Sequence, residues 1–327
     1  MENNPESPSA QSNAFTAKFT GEGLELFLIL LANAILTFLT LGIYAAWGKV
    51  RILQFFYSNT EFSGQPFRFT GTGKELFFGY LKAILIIIGF YTLYSLLVYL
   101  VLQISPTLVP LMLVAFYVFI IYALHFAIYS SLRYRFSRTT YREIRFGLAG
   151  KPVDFANDAF KNFFLSIITL GIWTPFYMHR KFSYIYNRLH YGNMKFEYVG
   201  DEREFFKIAI VGFLLTLVTF GIYYFWWYPQ MYNYYIRHLK IGEGQFSTEI
   251  EPGEFFGLIF TNLLLTIFTL GLGFAWIQVR TARFFIERFE LAGDFDLDSV
   301  VQKVQEDVDA TGEGLADAFD MDIGLGI

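Results

Sequence analysis

The chain has 327 residues, 54% apolar, 20% aromatic and only 17% charged, with a formal net charge of −4; a soluble domain usually carries about 25% charged residues. Cysteine is absent, which excludes disulfides, thiol catalysis and Cys-ligated metals. Ten acids and one base, Lys303, lie from Gly293 onward, so the rest of the chain is net basic, and membrane insertion accounts for its basic loops better than nucleic-acid binding does.

Residues 1–14 are polar, rich in Asn, Ser and Pro, and lack the apolar core of a signal peptide, so they are expected to be disordered. Long uncharged runs follow. No Asp, Glu, Lys or Arg occurs in Leu26–Trp47, in Ala83–Leu132 (50 residues), in Ile208–Ile236 or in Phe255–Val279, and a shorter run lies between Lys161 and Arg180. A bilayer core needs about 20 apolar residues per helix. Backbone polar groups inside lipid must pair within their own segment, so these runs are predicted to be helices.

One module recurs along the chain. The string Thr40–Tyr44 (TLGIY) returns at Thr169–Trp173, Thr219–Tyr223 and Thr269–Gly273. Its central glycines, Gly42, Gly171, Gly221 and Gly271, are the expected helix breaks. Seventeen residues before each stands an acid, Glu25, Asp154, Glu204 or Glu254, where a helix N-terminus favours negative charge. Nine residues before stand Asn33, Asn162, Gly212 and Asn262; five before stand Thr37, Ser166, Thr216 and Thr266. These offsets share one helix face, so each module carries a polar stripe down an apolar helix. Five residues after the Gly comes an aromatic (Trp47, Phe176, Trp226, Trp276), and nine after comes Arg51, Arg180, Gln230 or Arg280. At i,i+4 the ring and guanidinium are expected to stack at the membrane interface. A second glycine (Gly64, Gly192, Gly242, Gly293) precedes alternating strings such as Phe67-Arg68-Phe69 and Phe196-Glu197-Tyr198, read as short hairpins outside lipid.

The implied fold class is an all-α membrane protein: a polytopic helical bundle of four repeated helix–Gly–helix modules plus an inserted helical hairpin, with short extramembrane β-hairpins. Its segments are the N-terminus 1–14, module 1 at 15–71, an inserted transmembrane hairpin with a basic β-hairpin at 72–150, modules 2, 3 and 4 at 151–200, 201–250 and 251–297, and an acidic tail at 298–327. The basic hairpin, Arg133–Arg145, is expected to turn at Thr139-Thr140. Two topologies stay open. From acid to Arg, one continuous helix of 26 residues would span about 39 Å and cross once; alternatively the Gly reverses the chain and both ends stay on one side. The basic loops favour reversal by the positive-inside rule, whereas Gln230 in place of Arg fits a flipped copy.

The string TLGIYAAWGKVR with the later FSGQPFRFTG, and the closing Glu313–Ile323 segment, resemble the YjgN-like family of bacterial inner-membrane proteins. The resemblance covers nearly the whole chain from about Phe15. It implies a multi-pass location in the inner membrane of Gram-negative bacteria and no particular activity.

Catalytic signatures are missing. The four His residues (125, 179, 190 and 238) form no HExxH motif, and Gly71-Thr72-Gly73-Lys74 lacks the Ser or Thr of a phosphate loop and reads as a turn entering a helix. No cofactor is called for, and the partners expected are membrane lipids. His125, inside an apolar run, is a functional candidate by position or a helix-packing imidazole. The Asn/Thr stripe (Asn33, Thr37, Asn162, Ser166, Thr216, Asn262, Thr266) reads either as packing between helices or as a hydrated path in a transporter- or channel-like protein for a small solute or lipid. Arg51, Arg180 and Arg280 are candidate contacts for anions or lipid headgroups. A membrane scaffold or partner-binding subunit without a transport path is the alternative function. The acidic tail is either solvated or docked, with Leu315, Phe319 and Ile323 on one side and its acids facing Arg133–Arg145.

Overall fold

The computed structural model describes residues 15–293, 300–302 and 310–318. Within them the order strand–helix–helix–strand occurs five times. The first unit holds β1 (Phe15–Phe19), α1 (Gly23–Leu39), α2 (Ala45–Ser58) and β2 (Thr60–Phe62); the second β3 (Gln65–Phe69), α3 (Gly73–Ile104), α4 (Val109–Ser137) and β4 (Thr139–Tyr141). The third holds β5 (Ile144–Leu148), α5 (Pro152–Ile168), α6 (Thr174–Tyr186) and β6 (Leu189–Tyr191); the fourth β7 (Met194–Tyr198), α7 (Glu202–Val218), α8 (Tyr224–Arg237) and β8 (Leu239–Ile241). The fifth holds β9 (Gly244–Ser247), α9 (Pro252–Phe268), α10 (Phe274–Ile286) and β10 (Glu290–Ala292), and α11 (Thr311–Ala318) follows.

The ten strands close into one antiparallel barrel, which overturns the all-α bundle expected from the sequence. The two strands flanking each helical hairpin pair with each other, neighbouring units pair through tight turns, and β10 returns to β1 with Leu291 opposite Phe15. Closure leaves no unpaired edge. Strand alternation is the local cause. Phe15, Phe62, Phe67, Tyr141, Phe146, Tyr191, Phe196, Ile241, Phe246 and Leu291 point into one core, so the barrel interior is filled by side chains. Oppositely charged neighbours face outward in register, as in Lys18 opposite Glu61 and Glu197 opposite Lys240. Two core hydroxyls are satisfied along the ring: Tyr141 donates to the Phe62 carbonyl (2.7 Å) and Tyr191 to that of Tyr141 (2.9 Å). Burial pushes the Tyr191 phenol up to about 12. The basic hairpin turns at Arg142-Glu143, both with positive φ, and not at Thr139-Thr140, which lie in β4. The barrel register moves the turn three residues on, because Tyr141 must face inward.

Five helical hairpins rise from the ends of these strands. The helices are ordered as a ring in which the second of each pair meets the first of the next: α2 on α3, α4 on α5, α6 on α7, α8 on α9, and α10 on α1. In three of the four short hairpins the aromatic five residues past the tip glycine serves this joint. Trp47 lies so close over Gly73 that a Cβ there would sit 2.3 Å from the indole, and Trp276 covers Gly23 in the same way. Phe176 stacks on Phe206 at 4.6 Å. Helix starts are capped locally. Thr72 and Glu75 form a reciprocal capping box at the start of α3. Asp201 accepts from the amides of Glu204 (2.8 Å) and Arg203 (2.9 Å) at the start of α7, bonds that hold its carboxyl below the usual range.

At the tips of the four short hairpins the chain reverses around the recurring glycines. The Gly42 amide donates to the Thr37 carbonyl at 2.8 Å, and Gly171, Gly221 and Gly271 do the same to Ser166, Thr216 and Thr266. This is the bond that ends a helix at a left-handed residue. The left-handed position itself is Leu41, Leu170, Phe220 or Leu270, each with φ near 50°. The threonine two residues before each glycine explains its presence in every copy. Thr40 Oγ1 donates to the Leu36 carbonyl (2.7 Å) and accepts from the Tyr44 amide (3.0 Å), joining the end of one helix to the start of the next. Thr169, Thr219 and Thr269 repeat it.

The hairpins differ in reach. The first helices of the short ones have 17 residues each, about 25 Å at 1.5 Å per residue, whereas α3 and α4 have 32 and 29, about 48 and 44 Å. Among the described residues only α3 and the Pro106–Ser137 segment are long and apolar enough to cross a membrane. The short tips are apolar and bare: Leu41, Leu170, Phe220 and Leu270 are 94%, 94%, 96% and 92% exposed. An exposed apolar belt this wide is the surface of a membrane protein.

Candidate functional site

The sequence-derived stripe does not converge on one place. Asn33 is buried and donates to the Gly48 carbonyl (3.0 Å) inside its own hairpin. Asn162 donates to the Asp158 carbonyl (2.9 Å) and accepts from Trp173 Nε1 (3.0 Å) and Arg180 (3.2 Å), again within one hairpin. Asn262 donates to Thr281 Oγ1 at 3.2 Å. Ser166, Thr216 and Thr266 return their hydroxyls to the carbonyl four residues back at 3.0, 2.7 and 2.9 Å. At the third copy Gly212 is required, because a Cβ would lie 2.0 Å from the Trp227 ring. The Asn position is where each short hairpin brings its two helices together.

The arginines are likewise engaged at the hairpins. Arg180 binds Glu202 (2.6 Å) on the next unit and lies 5.3 Å over the Trp173 ring. Arg280 donates to Thr261 Oγ1 at 2.8 Å. Arg51 lies 5.8 Å over Tyr44. For Arg51 and Arg180 the stacked ring is therefore seven residues back, two helical turns, and not the expected i−4 ring, since Trp47 and Phe176 are used by the neighbouring helix. His125 sits between helices, its ring nitrogens 2.7 Å from the Ile121 carbonyl and 3.0 Å from the Tyr177 hydroxyl, a packing arrangement.

The first hairpin opens onto a cavity. A groove of about 920 Å³ runs between α1, α2 and α3. Asn33, Lys49, Ile52 and Tyr80 line its barrel end, and Phe38, Leu41 and Ile84 its tip end. Along α1, Asn33 lies about 12 Å nearer the barrel than Leu41. Asn33 is 7% exposed, and its Oδ1 has no hydrogen-bond partner among the described residues. Thr37 also lines this space. Sequence reasoning singled out Asn33 and Thr37 but not Lys49 or Tyr80.

One wall of the groove is Gly314, in the C-terminal helix α11. This helix packs against α3 and α4 at backbone contact: a Cβ on Gly314 would meet the Gly79 carbonyl oxygen at 2.7 Å, and one on Gly312 would meet Ser130 at 2.1 Å. Glu313 is completely buried and binds Arg135 through Nη2–Oε1 (2.8 Å), Nε–Oε1 (2.9 Å) and Nε–Oε2 (3.0 Å), while Ser131 donates its hydroxyl to the same carboxylate. The docked reading of the tail thus holds for Thr311–Ala318, with an acid on the basic segment; Leu315 is half-buried, and Phe319 and Ile323 lie outside the described residues. Upstream, Val300 enters the barrel core, and the Val301 amide donates to Asn193 Oδ1 (3.0 Å).

Among the described residues no group of three or more His, Asp or Glu side chains could hold a metal ion. No solved structure matches the chain. Segments of it are similar to inner membrane protein YjgN of Salmonella typhimurium (strain LT2), 40% identical over 80 residues, and to its namesakes in Escherichia coli O157:H7 (42% over 60 residues) and strain K12 (41% over 59). Those stretches cover 24%, 18% and 18% of this chain, and they span only 20%, 15% and 15% of the relatives' length. A family model described as bacterial protein of unknown function (DUF898) matches residues 15–199, 193–228 and 227–318, and the chain belongs to that family.

Proposed function

We propose that the protein is a bacterial inner-membrane scaffold that crosses the bilayer with its long hairpin and wedges four short hairpins into the cytoplasmic leaflet, holding a closed barrel at the membrane face. The observation that carries this reading is the set of four left-handed tip residues. A non-glycine residue there costs roughly 1–2 kcal/mol per site, yet Leu, Leu, Phe and Leu occupy it almost fully exposed. Hydrocarbon around the tips offsets that cost, because a buried Leu or Phe gains about 1.5–3 kcal/mol. Helices of about 25 Å fall short of a 30 Å core, so such hairpins enter and return. The uncharged Ile104–Pro110 loop and the basic barrel end orient the barrel inward.

A scaffold is favoured over a transport path because Asn33, Asn162 and Asn262 bind within three separate hairpins and the barrel interior is filled. The natural absence of cysteine allows a direct test by single-cysteine labelling. With a membrane-impermeant maleimide, Thr107→Cys is labelled in spheroplasts, Glu243→Cys only after lysis, and Leu41→Cys, Leu170→Cys, Phe220→Cys and Leu270→Cys in neither. Labelling of the tip cysteines from the outer face would replace wedging by full crossing and end this proposal.

A further inference from the structure

The four short hairpins act as internal controls for one another, and the first departs from the rest where the groove lies. Eight residues before the tip glycine it has Ala34, where the others have Phe163, Phe213 and Leu263. Three after, it has Ala45 against Thr174, Tyr224 and Phe274; six after, Gly48 against Tyr177, Trp227 and Ile277. All three small residues line the groove. The space is therefore made by substituting small side chains at positions that the other hairpins fill. At the next position Lys49 stands where the others have Met178, Tyr228 and Gln278, so a cation enters the same place.

From this geometry we infer that the groove is a binding site for one diacyl phospholipid of the cytoplasmic leaflet whose headgroup carries a hydrogen-bond donor. The inference rests on the orientation proposed above. Toward the barrel the lining carries Asn33, Lys49 and Tyr80 beside Ile52, and toward the tip it is Phe38, Leu41 and Ile84, the order a leaflet lipid presents from headgroup to acyl chain. Lys49 supplies the charge-assisted donor for the phosphate. The buried Oδ1 of Asn33 is an acceptor without a partner among the described residues, and an ammonium or hydroxyl of the headgroup would satisfy it. Phe38, Leu41 and Ile84 flank the acyl chains. The C-terminal helix, through Gly314, closes one side, so the tail shapes the site.

The test is native mass spectrometry of the full chain in detergent, titrated with dioleoylphosphatidylethanolamine. It reads lipid binding apart from topology, so its failure and that of the wedging model are distinguishable. The wild type is expected to hold one lipid. Ala34→Phe, which installs the residue of the second and third hairpins, and Lys49→Met, which installs that of the second, are each expected to weaken binding about tenfold or more. Lys195→Met, on the exposed outer face of the barrel, is the charge control and binds as wild type. Glycerophosphoethanolamine, with the same headgroup but no acyl chains, should not compete. Unchanged binding by folded Ala34→Phe or Lys49→Met, or equal competition by glycerophosphoethanolamine, would overturn the assignment.

Discussion

Removing the Glu313 carboxylate tests how the C-terminal helix is held. In Glu313→Ala the Arg135 guanidinium of α4, whose side chain is only 6% exposed with α11 docked, loses three contacts of 2.8 to 3.0 Å. Breaking a buried pair from one side costs about 3–5 kcal/mol. The barrel does not bear that cost, because α11 can leave. An eight-residue helix has no independent stability in water, so its order depends on docking. The expected result is local release of residues 310–318 while the barrel melts near its wild-type temperature. Hydrogen exchange of a 310–318 peptide, followed by mass spectrometry in detergent, should accelerate about a hundredfold or more, the equivalent of 3 kcal/mol. Arg135→Met combined with Glu313→Leu removes both charges and should recover most of the protection. Gly314→Leu should release the helix without any charge change, since its Cβ would strike the Gly79 carbonyl. Exchange in Glu313→Ala within threefold of wild type would refute the reasoning.

Three further outcomes follow from packing, titration and insertion. Gly212→Ala should lower stability in detergent by about 1–3 kcal/mol through collision with Trp227, whereas Gly89→Ala, with open space around it, should not; equal melting temperatures would remove the packing account. Tyr191 is held neutral by burial, so its folded value, about 12, lies above that of the unfolded chain. Its contribution is complete below the ordinary tyrosine range near 10 and is lost as pH rises from there through about 12. Melts from pH 9 to 12 should therefore fall more steeply for wild type than for Tyr191→Phe, and parallel curves would contradict it. Phe220→Asp places a charge at a hairpin tip, where insertion scales assign about 2.5–3.5 kcal/mol; enhanced protease access to Val218–Tyr224 in membranes is expected, and unchanged protection would argue against a lipid-buried tip.

The amino-acid sequence by itself marked the helices and the break at each recurring glycine, and left open whether the chain reverses there. The TLGIY string carries its own mechanism, since Thr40, Leu41 and Gly42 interact within a few residues of one another. The acids at helix starts and the turn entering a helix at Gly71–Lys74 are equally local, and so were readable. Of the groove, Asn33 and Thr37 were visible as part of a recurring stripe, while Lys49 and Tyr80 gave no signal except, for Lys49, its departure from the other three copies. Closure of the barrel was decided only in three dimensions. Its strands are three to five residues long, too short to state more than which side is apolar, and the pairing of Phe15 with Leu291 joins the two ends of the described barrel. Long-range partners also chose among locally equal options: Trp47 and Phe176 went to the neighbouring helix, which left Tyr44 and Trp173 beneath Arg51 and Arg180. The same holds for Glu313, one acid among ten in the tail, which the close approach of Gly312 and Gly314 to Ser130 of α4 and Gly79 of α3 singled out for Arg135. Periodicity and capping act over one or two turns of chain, whereas register, closure and docking depend on which distant surfaces meet.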